Sequence, residues 1–185
     1  MSAAVPILTT PRLILRPVEL ADAEAVQAVF PQWDIVQFLT TKVPWPYPAD
    51  GSLTFIRDMA LPAMAKGEEW HWTIRPKSAP EKLIGAISLM DRPGDNRGFW
   101  LNPAWQGKGY MAEASTVVTD FWFDVLGKPV LQVPKARINN RSRRISEVTG
   151  MRVIATYERD YVGGRLLAEV WEITRDEWHT RRSRL

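Results

Sequence analysis

Residues 106–110, Gln-Gly-Lys-Gly-Tyr, place two glycines around a lysine directly before a stretch with helical periodicity. Free backbone N–H groups at a helix N-terminus bind phosphate groups, and glycines there let the backbone approach the anion closely. Lys108 adds a positive charge at the same place. The alternative interpretation is a tight turn in which glycine supplies a positive φ. The segment therefore predicts a phosphate-binding turn without specifying the phosphate compound.

Two common nucleotide-binding motifs do not match this turn. A P-loop requires a different glycine spacing and a Lys-Ser/Thr ending, which the segment lacks. A dinucleotide-binding fingerprint requires a third glycine, where this chain has Ala112, and an acidic residue after the next strand.

The sequence contains no cysteine, and its two histidines, His71 and His179, lie far apart. The lack of cysteine excludes disulfides, thiolate metal sites and a cysteine nucleophile. Two widely separated histidines do not make a histidine-rich metal site. We therefore expect no metal and a chemistry that other side chains carry.

The composition is that of a folded domain, with 185 residues of which 45% are hydrophobic and 24% are charged. A chain of this length forms one domain with a substantial core, and we expect a single domain over residues 1–185. Residues 1–10 lack the pattern of a secretory signal, and no apolar stretch approaches the roughly 20 residues that cross a bilayer. These features predict a cytoplasmic protein with no membrane partner.

The formal net charge of +3 makes the chain mildly basic. A solvated basic surface is the simplest interpretation, and attraction to a polyphosphate or an acidic partner is the alternative. Nucleic-acid binding would depend steeply on salt and is not expected. The excess arginines are Arg141, Arg143, Arg144, Arg152, Arg175, Arg181, Arg182 and Arg184.

The first part of the chain predicts a strand and two helices. Polar and apolar residues alternate over residues 12–17, which predicts a strand, and a helix with apolar residues at helical spacing follows. The proline-aromatic segment 43–48 predicts an ordered loop. Asp50 is expected to cap a second helix over residues 50–65, in which Pro62 predicts a kink or an early end.

Three successive strands are predicted at residues 70–74, 83–89 and 97–101, followed by the glycine turn and a helix. The spacing of apolar residues in that helix is close to 3.6. Its predicted apolar face consists of Met111, Ala114, Val117, Val118, Phe121, Trp122 and Val125.

The last part of the chain predicts a strand over residues 130–138, where Pro134 indicates an edge or a bulge, and a short helix over residues 139–148. Two further strands, at residues 151–157 and 166–173, close the chain. Runs of consecutive strands indicate a mixed, mostly antiparallel sheet with helices on its faces, and exclude a doubly wound parallel sheet. The predicted fold class is α/β.

Three motifs follow one another along the chain. Residues 98–103 read Gly-Phe-Trp-Leu-Asn-Pro, residues 106–114 read Gln-Gly-Lys-Gly-Tyr-Met-Ala-Glu-Ala, and residues 139–150 read Asn-x-x-Ser-Arg-Arg-Ile-x-Glu-x-x-Gly. Together with residues 10–17 and 174–178 they resemble the GNAT superfamily of N-acetyltransferases. Within it they resemble the RimJ/RimL-like branch, which acetylates ribosomal-protein N-termini. The resemblance extends over almost the whole chain.

The central motif resembles the acetyl-CoA motif of that superfamily, Gln/Arg-x-x-Gly-x-Gly/Ala. Gln106 and Gly109 fit this pattern, and Met111 stands where glycine or alanine is usual. The resemblance implies that acetyl-CoA lies where two neighbouring parallel strands splay apart, here the strand ending near Leu101 and the strand over residues 133–138. This is the splayed parallel pair of a GNAT-like fold.

The resemblance also implies which residues contact the cosubstrate. Backbone N–H groups of the glycine turn would hold the pyrophosphate, and main-chain groups of Trp100 and Leu101 would align the pantetheine and the thioester. Asn139 matches the asparagine that contacts the cosubstrate, and Ser142 lies beside it. The implied residues of the turn are Gln106, Gly107, Lys108, Gly109, Tyr110 and Met111.

Acetyl transfer from a thioester to an amine requires a neutral amine, a stabilised oxyanion and a proton for the leaving thiolate. Many superfamily members supply that proton from a tyrosine at the position of Ser146, which this chain lacks. The RimJ/RimL-like branch is similar in using a serine at the position of Ser142, so the resemblance implies Ser142 as the general acid. The alternative role for Ser142 is to satisfy backbone donors at a helix start.

The general base is predicted to be Glu158, which lies near the place of a base carboxylate in the branch. Asp160, Glu169 and His71 are alternatives, and a water chain could also do this work. An exposed, ion-paired glutamate is the competing interpretation of Glu158.

Trp33, Trp45 and Tyr47 lie in or near the proline-aromatic loop and are predicted to bind the acceptor. The acceptor is expected to be a primary amine, either a peptide or protein N-terminus or a small molecule. The alternative function is an acyl-CoA-binding sensor of the same fold without strong catalysis. A homodimer, a common state for compact enzymes, is one assembly that the chain could form.

Overall fold

The computed structural model describes residues 5–184, which form two antiparallel sheets with helices packed on them. The first sheet has the strand order β1-β2-β3-β4-β5. Its strands are Leu8–Thr9 (β1), Leu13–Pro17 (β2), Glu69–Pro76 (β3), Gly85–Met90 (β4) and Arg97–Leu101 (β5).

The second sheet has the strand order β6-β8-β7. Its strands are Val130–Ala136 (β6), Arg152–Tyr161 (β7) and Gly164–Thr174 (β8). β6 lies at an edge of this sheet, as Pro134 predicted. The combination of antiparallel ladders and helices confirms the α/β fold class.

The two sheets meet where β5 and β6 begin. The Asn96 N–H donates to the Gln132 carbonyl at 2.8 Å, and the Gln132 N–H donates to Asn96 Oδ1, also at 2.8 Å. Both strands start near this junction. Beyond it they part, and a cleft opens between their C-terminal halves.

Within residues 5–184, seven α-helices surround the sheets. They are Ala23–Val29 (α1), Trp33–Val36 (α2), Gly51–Phe55 (α3), Leu61–Lys66 (α4), Tyr110–Asp120 (α5), Asn140–Val148 (α6) and Arg175–Arg182 (α7). Within residues 5–184, none of these helices combines the length and apolar character that crossing a bilayer requires.

The predicted helix over residues 50–65 exists but is interrupted. A π-helical segment, Ile56–Ala60, joins α3 to α4 immediately before Pro62. Proline lacks the N–H that an α-helix would use, and a wider turn accommodates this loss. Asp50 stands at the N-cap position, but its side chain makes no capping bond to a backbone N–H, which corrects the predicted cap.

The helix after the glycine turn also changes pitch. α5 passes into a second π-helical segment, Phe121–Val125, which rotates the following residues relative to an α-helix. Val125 is consequently 60% exposed, although the 3.6-residue spacing placed it on the buried face. Trp122, four residues after Val118, remains buried as predicted.

Three short elements were not predicted from the sequence: β1, α2 and α7. α7 begins with a capping box, in which Thr174 Oγ1 accepts from the Glu177 N–H and the Glu177 carboxylate accepts from the Thr174 N–H. Ser/Thr-x-x-Glu is a known start signal of helices, so the sequence did contain the signature of α7. Trp178 anchors this helix through a hydrogen bond from Nε1 to Asp120 at 2.8 Å.

Candidate active site

A cleft of about 830 Å³ occupies the space between the parting ends of β5 and β6. The glycine turn and the first turn of α6 form its two flanks, and residues 37–40 with the end of β7 close its far side. The cleft lining includes Asp34, Phe99, Trp100, Leu101, Gln106, Gly107, Gly109, Tyr110, Lys135, Asn139, Arg141, Ser142 and Tyr161.

The glycine turn leads directly into α5. Gly107 and Gly109 have φ angles of +77° and +81°, a region that residues with side chains rarely adopt. The first bond of the helix runs from the Glu113 N–H to the Gly109 carbonyl at 3.1 Å. The N–H groups before Glu113 are therefore the unpaired donors that every helix start leaves. The conformation requires glycine, and it leaves backbone N–H donors at the start of α5 beside the cleft.

Arg12, the residue directly before β2, contacts the glycine turn through its side chain. Its Nη1 donates to the Lys108 carbonyl at 2.9 Å, its Nε donates to the Glu113 carboxylate at 2.7 Å, and its guanidinium lies 4.5 Å from the Tyr110 ring centroid. Burial opposes ionisation of Glu113, but hydrogen bonds from Thr10 and Arg12 lower the pKa of this carboxyl below its usual value. The acidic side chain beside the glycine turn is thus already paired. The sequence analysis did not identify Arg12 as part of the site.

Gln106 ties the turn to its two neighbours. Its amide nitrogen donates to the Leu101 carbonyl at 2.9 Å, and its amide oxygen accepts from Arg141 Nη1 at 2.6 Å. Arg141, which the sequence analysis assigned to the general basic surface, therefore stands beside the predicted phosphate site. β5 pairs with β4 along one edge, so its other edge at Trp100 and Leu101 faces the cleft and can hydrogen-bond an extended ligand.

Ser142 and Asn139 lie at the start of α6. Asn139 is the N-cap, and its Oδ1 accepts from the Ser142 N–H at 3.2 Å. The capping function is thus carried by Asn139 rather than by the hydroxyl of Ser142. That hydroxyl oxygen instead accepts a hydrogen bond from Lys135 Nζ at 2.7 Å, and its own proton remains available to a ligand in the cleft.

Two buried cations form the floor of the cleft. Lys135 is 4% exposed and Arg97 is 2% exposed, and both line the cleft. Burial and the nearby charge of Arg97 lower the pKa of Lys135 well below its usual value. Burial lowers the pKa of Arg97 to about 10. The sequence signal for this feature is Lys135 within the predicted strand over residues 130–138.

The four side chains considered as general base lie outside the cleft lining. Glu158 is 66% exposed and pairs with Arg165 at 2.9 Å, and Asp160 is exposed beside the same arginine. The buried Glu169 forms ion pairs with Arg143 and Arg137. His71 pairs with Glu69. The structure therefore does not bring Glu158 to the reacting groups.

The carboxylates that line the cleft, among the described residues, are Asp34 and Asp95. Asp95 accepts from Arg159 at 3.0 Å, whereas Asp34 is exposed in α2. Tyr161 is buried next to Arg159, and its hydroxyl has no hydrogen-bond partner within residues 5–184. Burial raises the pKa of Tyr161 to about 12, so its hydroxyl stays a neutral donor.

The predicted acceptor residues Trp33, Trp45 and Tyr47 are not part of the cleft lining, although Trp33 precedes the lining residue Asp34. Trp33 and Trp45 are both exposed, and their ring centroids are 5.7 Å apart. Tyr47 packs edge-on against Phe30 at 5.0 Å, and Phe30 packs against Trp100 at 5.3 Å. The proline-aromatic loop is thereby linked through aromatic contacts to the free edge of β5.

The wall opposite the glycine turn is joined to the β7–β8 hairpin. The Val162 N–H donates to the Leu39 carbonyl at 3.0 Å, and the Gly163 N–H donates to the Gln37 carbonyl at 2.9 Å. A Cβ atom at Gly163 would lie 2.8 Å from the same Gln37 oxygen. Only glycine fits this close approach without displacing the wall.

The sequence matches a protein-family model described as an acetyltransferase (GNAT) domain over residues 12–152. A search of curated proteins finds no match. Among the described residues, no group of three His, Cys, Asp or Glu side chains is placed to hold a metal ion.

Solved structures with the same fold include three acetyltransferases. A GNAT-family acetyltransferase from Bacillus anthracis has a TM-score of 0.76 at 19% identity, covering 93% of this chain and 100% of that one. Ribosomal-protein-S5-alanine acetyltransferase from Vibrio fischeri has a TM-score of 0.78 at 15% identity, covering 94% and 98%. Mycobacterium smegmatis RimJ in complex with CoA-disulfide has a TM-score of 0.78 at 16% identity, covering 89% and 83%. These likenesses establish the shared fold.

Proposed function

The chain belongs to the GNAT acetyltransferase family, and from this premise we propose that it transfers the acetyl group of acetyl-CoA to a primary amine. The observation that carries the proposal is the cleft between β5 and β6. It combines, in one cavity, a glycine turn at a helix start, a free strand edge and the hydroxyl of Ser142. Acetyl-CoA supplies the reactive thioester, and the residues of the chain bind and orient it and move the protons.

The cleft fits the parts of acetyl-CoA in order. The N–H groups of the glycine turn suit a pyrophosphate, because they are unpaired donors at the positive end of the α5 dipole. Lys108 and Arg141 add positive charge on either side of the turn. The free edge of β5 at Trp100 and Leu101 suits the amide groups of the pantetheine arm. The capping bond uses the side-chain oxygen Oδ1 of Asn139, so its side-chain NH₂ group can donate to the cosubstrate.

We assign the general-acid role to Ser142, because its hydroxyl lines the cleft and does not serve as the helix cap. The position of Glu158 outside the cleft gives no support to its predicted role as base. A neutral amine formed through water at the mouth of the cleft requires no glutamate there. Thioester acyl transfer also depends strongly on positioning, which the cleft supplies.

For the acceptor we favour a peptide or protein N-terminus over a small amine. Trp33, next in sequence to the lining residue Asp34, forms an exposed aromatic pair with Trp45 that can contact residues beyond the reacting amine. The exposed carboxylate of Asp34 places negative charge on the cleft wall, which suits an incoming ammonium group. The similar Vibrio fischeri protein is named as an acetyltransferase of a ribosomal protein.

The proposal is tested with purified protein in two steps. Calorimetry should detect acetyl-CoA binding, and a thiol reagent should detect release of free CoA over a panel of amines. The panel contains N-terminal peptides, polyamines, aminoglycosides and amino acids, and we expect the highest kcat/KM with peptides. Binding without turnover on any amine would favour the acyl-CoA sensor, and absence of binding would exclude both functions.

Arg12→Met should weaken CoA binding by about tenfold, measured as Kd by calorimetry, because each charge-assisted bond is worth about 1.5–3 kcal/mol. The variant removes the bonds to Lys108 and Glu113 but keeps the length of the side chain. It also leaves the Glu113 carboxylate without a neighbouring cation, held by Thr10 and the backbone N–H of residue 12, so that its charge can repel the phosphates. The turn must then be ordered by the ligand, at a cost in affinity.

The matched control is Arg57→Met, which removes an exposed arginine paired with Asp58 on the π-helical segment outside the cleft. This variant should bind CoA as the wild type does. Equal Kd values for both variants would show that Arg12 does not support the turn.

A further inference from the structure

Lys135 is buried in the floor of the cleft without an opposite charge. Its Nζ atom lies 2.7 Å from Ser142 Oγ and 4.8 Å from the Phe99 ring centroid. Within residues 5–184, no carboxylate forms an ion pair with it. Unpaired buried ammonium groups are rare because burial disfavours the charge strongly. Burying such a group lowers the stability of the folded protein, which makes the group a candidate for a functional role.

The charged groups around Lys135 are already committed to other partners. Arg97 reaches from β5 and donates to Thr119 Oγ1 at 3.0 Å. Glu169 stands directly opposite Lys135 on β8, but its carboxylate binds Arg143 at 2.9 Å and Arg137 at 3.6 Å.

At the other side of the cleft, Asp95 binds Arg159 beside the end of β7, and Asp34 is exposed in α2. The hydroxyl of Tyr161, next to this pair, remains neutral. Lys135 therefore has one specific polar partner among the described residues, the hydroxyl of Ser142.

We propose that Lys135 acts through Ser142 as the proton source for the departing thiolate of CoA. The inference rests on the proposed function, because it presupposes acetyl transfer in this cleft. It adds a residue that neither the family motifs nor the sequence analysis identified. Lys135 would be a positioning residue and proton store, whereas Ser142 is the group that touches the sulfur.

The chemistry explains why Ser142 needs such a partner. An aliphatic hydroxyl is a much weaker acid than a thiol, whose pKa is about 8.5, so serine alone does not surrender its proton to a thiolate. With an ammonium group bound to Oγ, the hydroxyl proton can move to sulfur while the ammonium proton moves to oxygen. Serine then ends the step unchanged, and Lys135 ends it neutral.

The bonds and protons balance over the whole reaction. The amine nitrogen forms a bond to the carbonyl carbon, the carbon–sulfur bond breaks, and its electron pair leaves on sulfur. Ser142 protonates the sulfur and is reprotonated by Lys135. The nitrogen of the new amide loses one proton, which returns through water to Lys135. The products are the acetylated amine and free CoA, and the lysine is again an ammonium.

The buried position of Lys135 disfavours a permanent positive charge on its side chain, which suits this cycle. Burial and the charge of Arg97 lower the pKa of Lys135, so that the neutral lysine is accessible after each transfer. A proton donor is most effective when its pKa lies near the working pH. Arg97 keeps its charge at neutral pH and thereby favours the neutral form of Lys135 after the proton has been transferred.

The test compares Lys135→Met with Ser142→Ala, the double variant and an exposed-lysine control, Lys66→Met. Lys135→Met should lower kcat by about 100-fold or more while Kd for CoA stays within about twofold. The wild-type kcat should fall as pH rises through the lysine pKa, and this alkaline limb should vanish in Lys135→Met. The double variant should be no slower than the slower single variant, because both residues act in one relay.

A second readout does not depend on turnover. The ultraviolet absorbance of the thiolate reports the pKa of the thiol of bound CoA, which should be higher in Lys135→Met than in the wild type. Removal of an unpaired buried charge should leave the melting temperature of Lys135→Met equal to or higher than that of the wild type. A lower melting temperature would reveal that the variant is misfolded.

The outcomes separate the two proposals. If Lys135→Met keeps the wild-type kcat and alkaline limb, or if the two single effects multiply in the double variant, the relay is wrong. If the wild type turns over no amine, the proposed function fails. The thiol titration then still decides on Lys135, since equal thiol pKa values in the two proteins would overturn its role.

Discussion

Gly109→Glu is expected to abolish detectable binding of acetyl-CoA. Gly109 is the N-cap of α5 with a φ of +81°, and a side chain there is strained by about 1 kcal/mol or more. The new carboxylate would stand where the pyrophosphate is proposed to bind. It would then repel the anion at the positive end of the helix dipole. Calorimetry with acetyl-CoA at low and high salt measures the loss.

Two controls separate charge from backbone strain. Gly109→Gln carries similar bulk and the same strain without charge, so it should bind more tightly than Gly109→Glu, with a difference that shrinks in high salt. Gly127→Glu puts a glutamate at another glycine of positive φ, +67°, outside the cleft, and should bind normally. Wild-type affinity in Gly109→Glu would rule out the turn as the phosphate site.

Ser142→Ala is expected to lower kcat by about 10²–10⁴-fold, the usual contribution of a general acid, while acetyl-CoA still binds. The variant removes the hydroxyl that bonds Lys135 but leaves the cap at Asn139, which uses the backbone N–H of residue 142. The helix start should therefore persist, and the loss should appear in kcat rather than in Kd. Steady-state rates and calorimetry on the same preparation measure both quantities.

Ser146→Ala is the matched control on the same helix. Ser146 is fully buried, and its hydroxyl has no hydrogen-bond partner within residues 5–184, so its removal should cost neither folding nor turnover. It occupies the position where many members of the superfamily carry the proton-donating tyrosine. A kcat loss in Ser146→Ala equal to that in Ser142→Ala would contradict the assignment of Ser142 as the general acid.

The features that the sequence predicted correctly are those encoded locally. The glycine turn, the helix after it and the helix that begins after Asn139 each have a start signal and a periodic face within a few residues. β5 was predicted with the bounds that the structure has. The π-helical segments were not predictable from a fixed 3.6-residue period, which is why Val125 was placed on the wrong face.

The site residues that were missed depend on contacts between distant parts of the chain. Arg12 meets Glu113, and Arg141 meets Gln106, across stretches that no motif spans. The partnership of Lys135 with Ser142 follows from how β6 and α6 pack, which spacing alone does not encode. Glu158 was predicted as a base from its place in the sequence alone, and the structure points it to Arg165 in solvent.

The hydrogen bonds between residues 37–40 and the β7–β8 hairpin have a consequence for how acceptor preference can change. One wall of the cleft is held by the turn of a hairpin, and this wall lies opposite the glycine turn that we propose as the pyrophosphate site. Insertions and deletions in hairpin turns are among the changes that proteins tolerate best. A longer or shorter turn at Gly163 would move the wall and reshape the proposed acceptor side of the cleft while the glycine turn stays in place. Selection could thus exchange one amine for another without disturbing the proposed site of the acetyl donor.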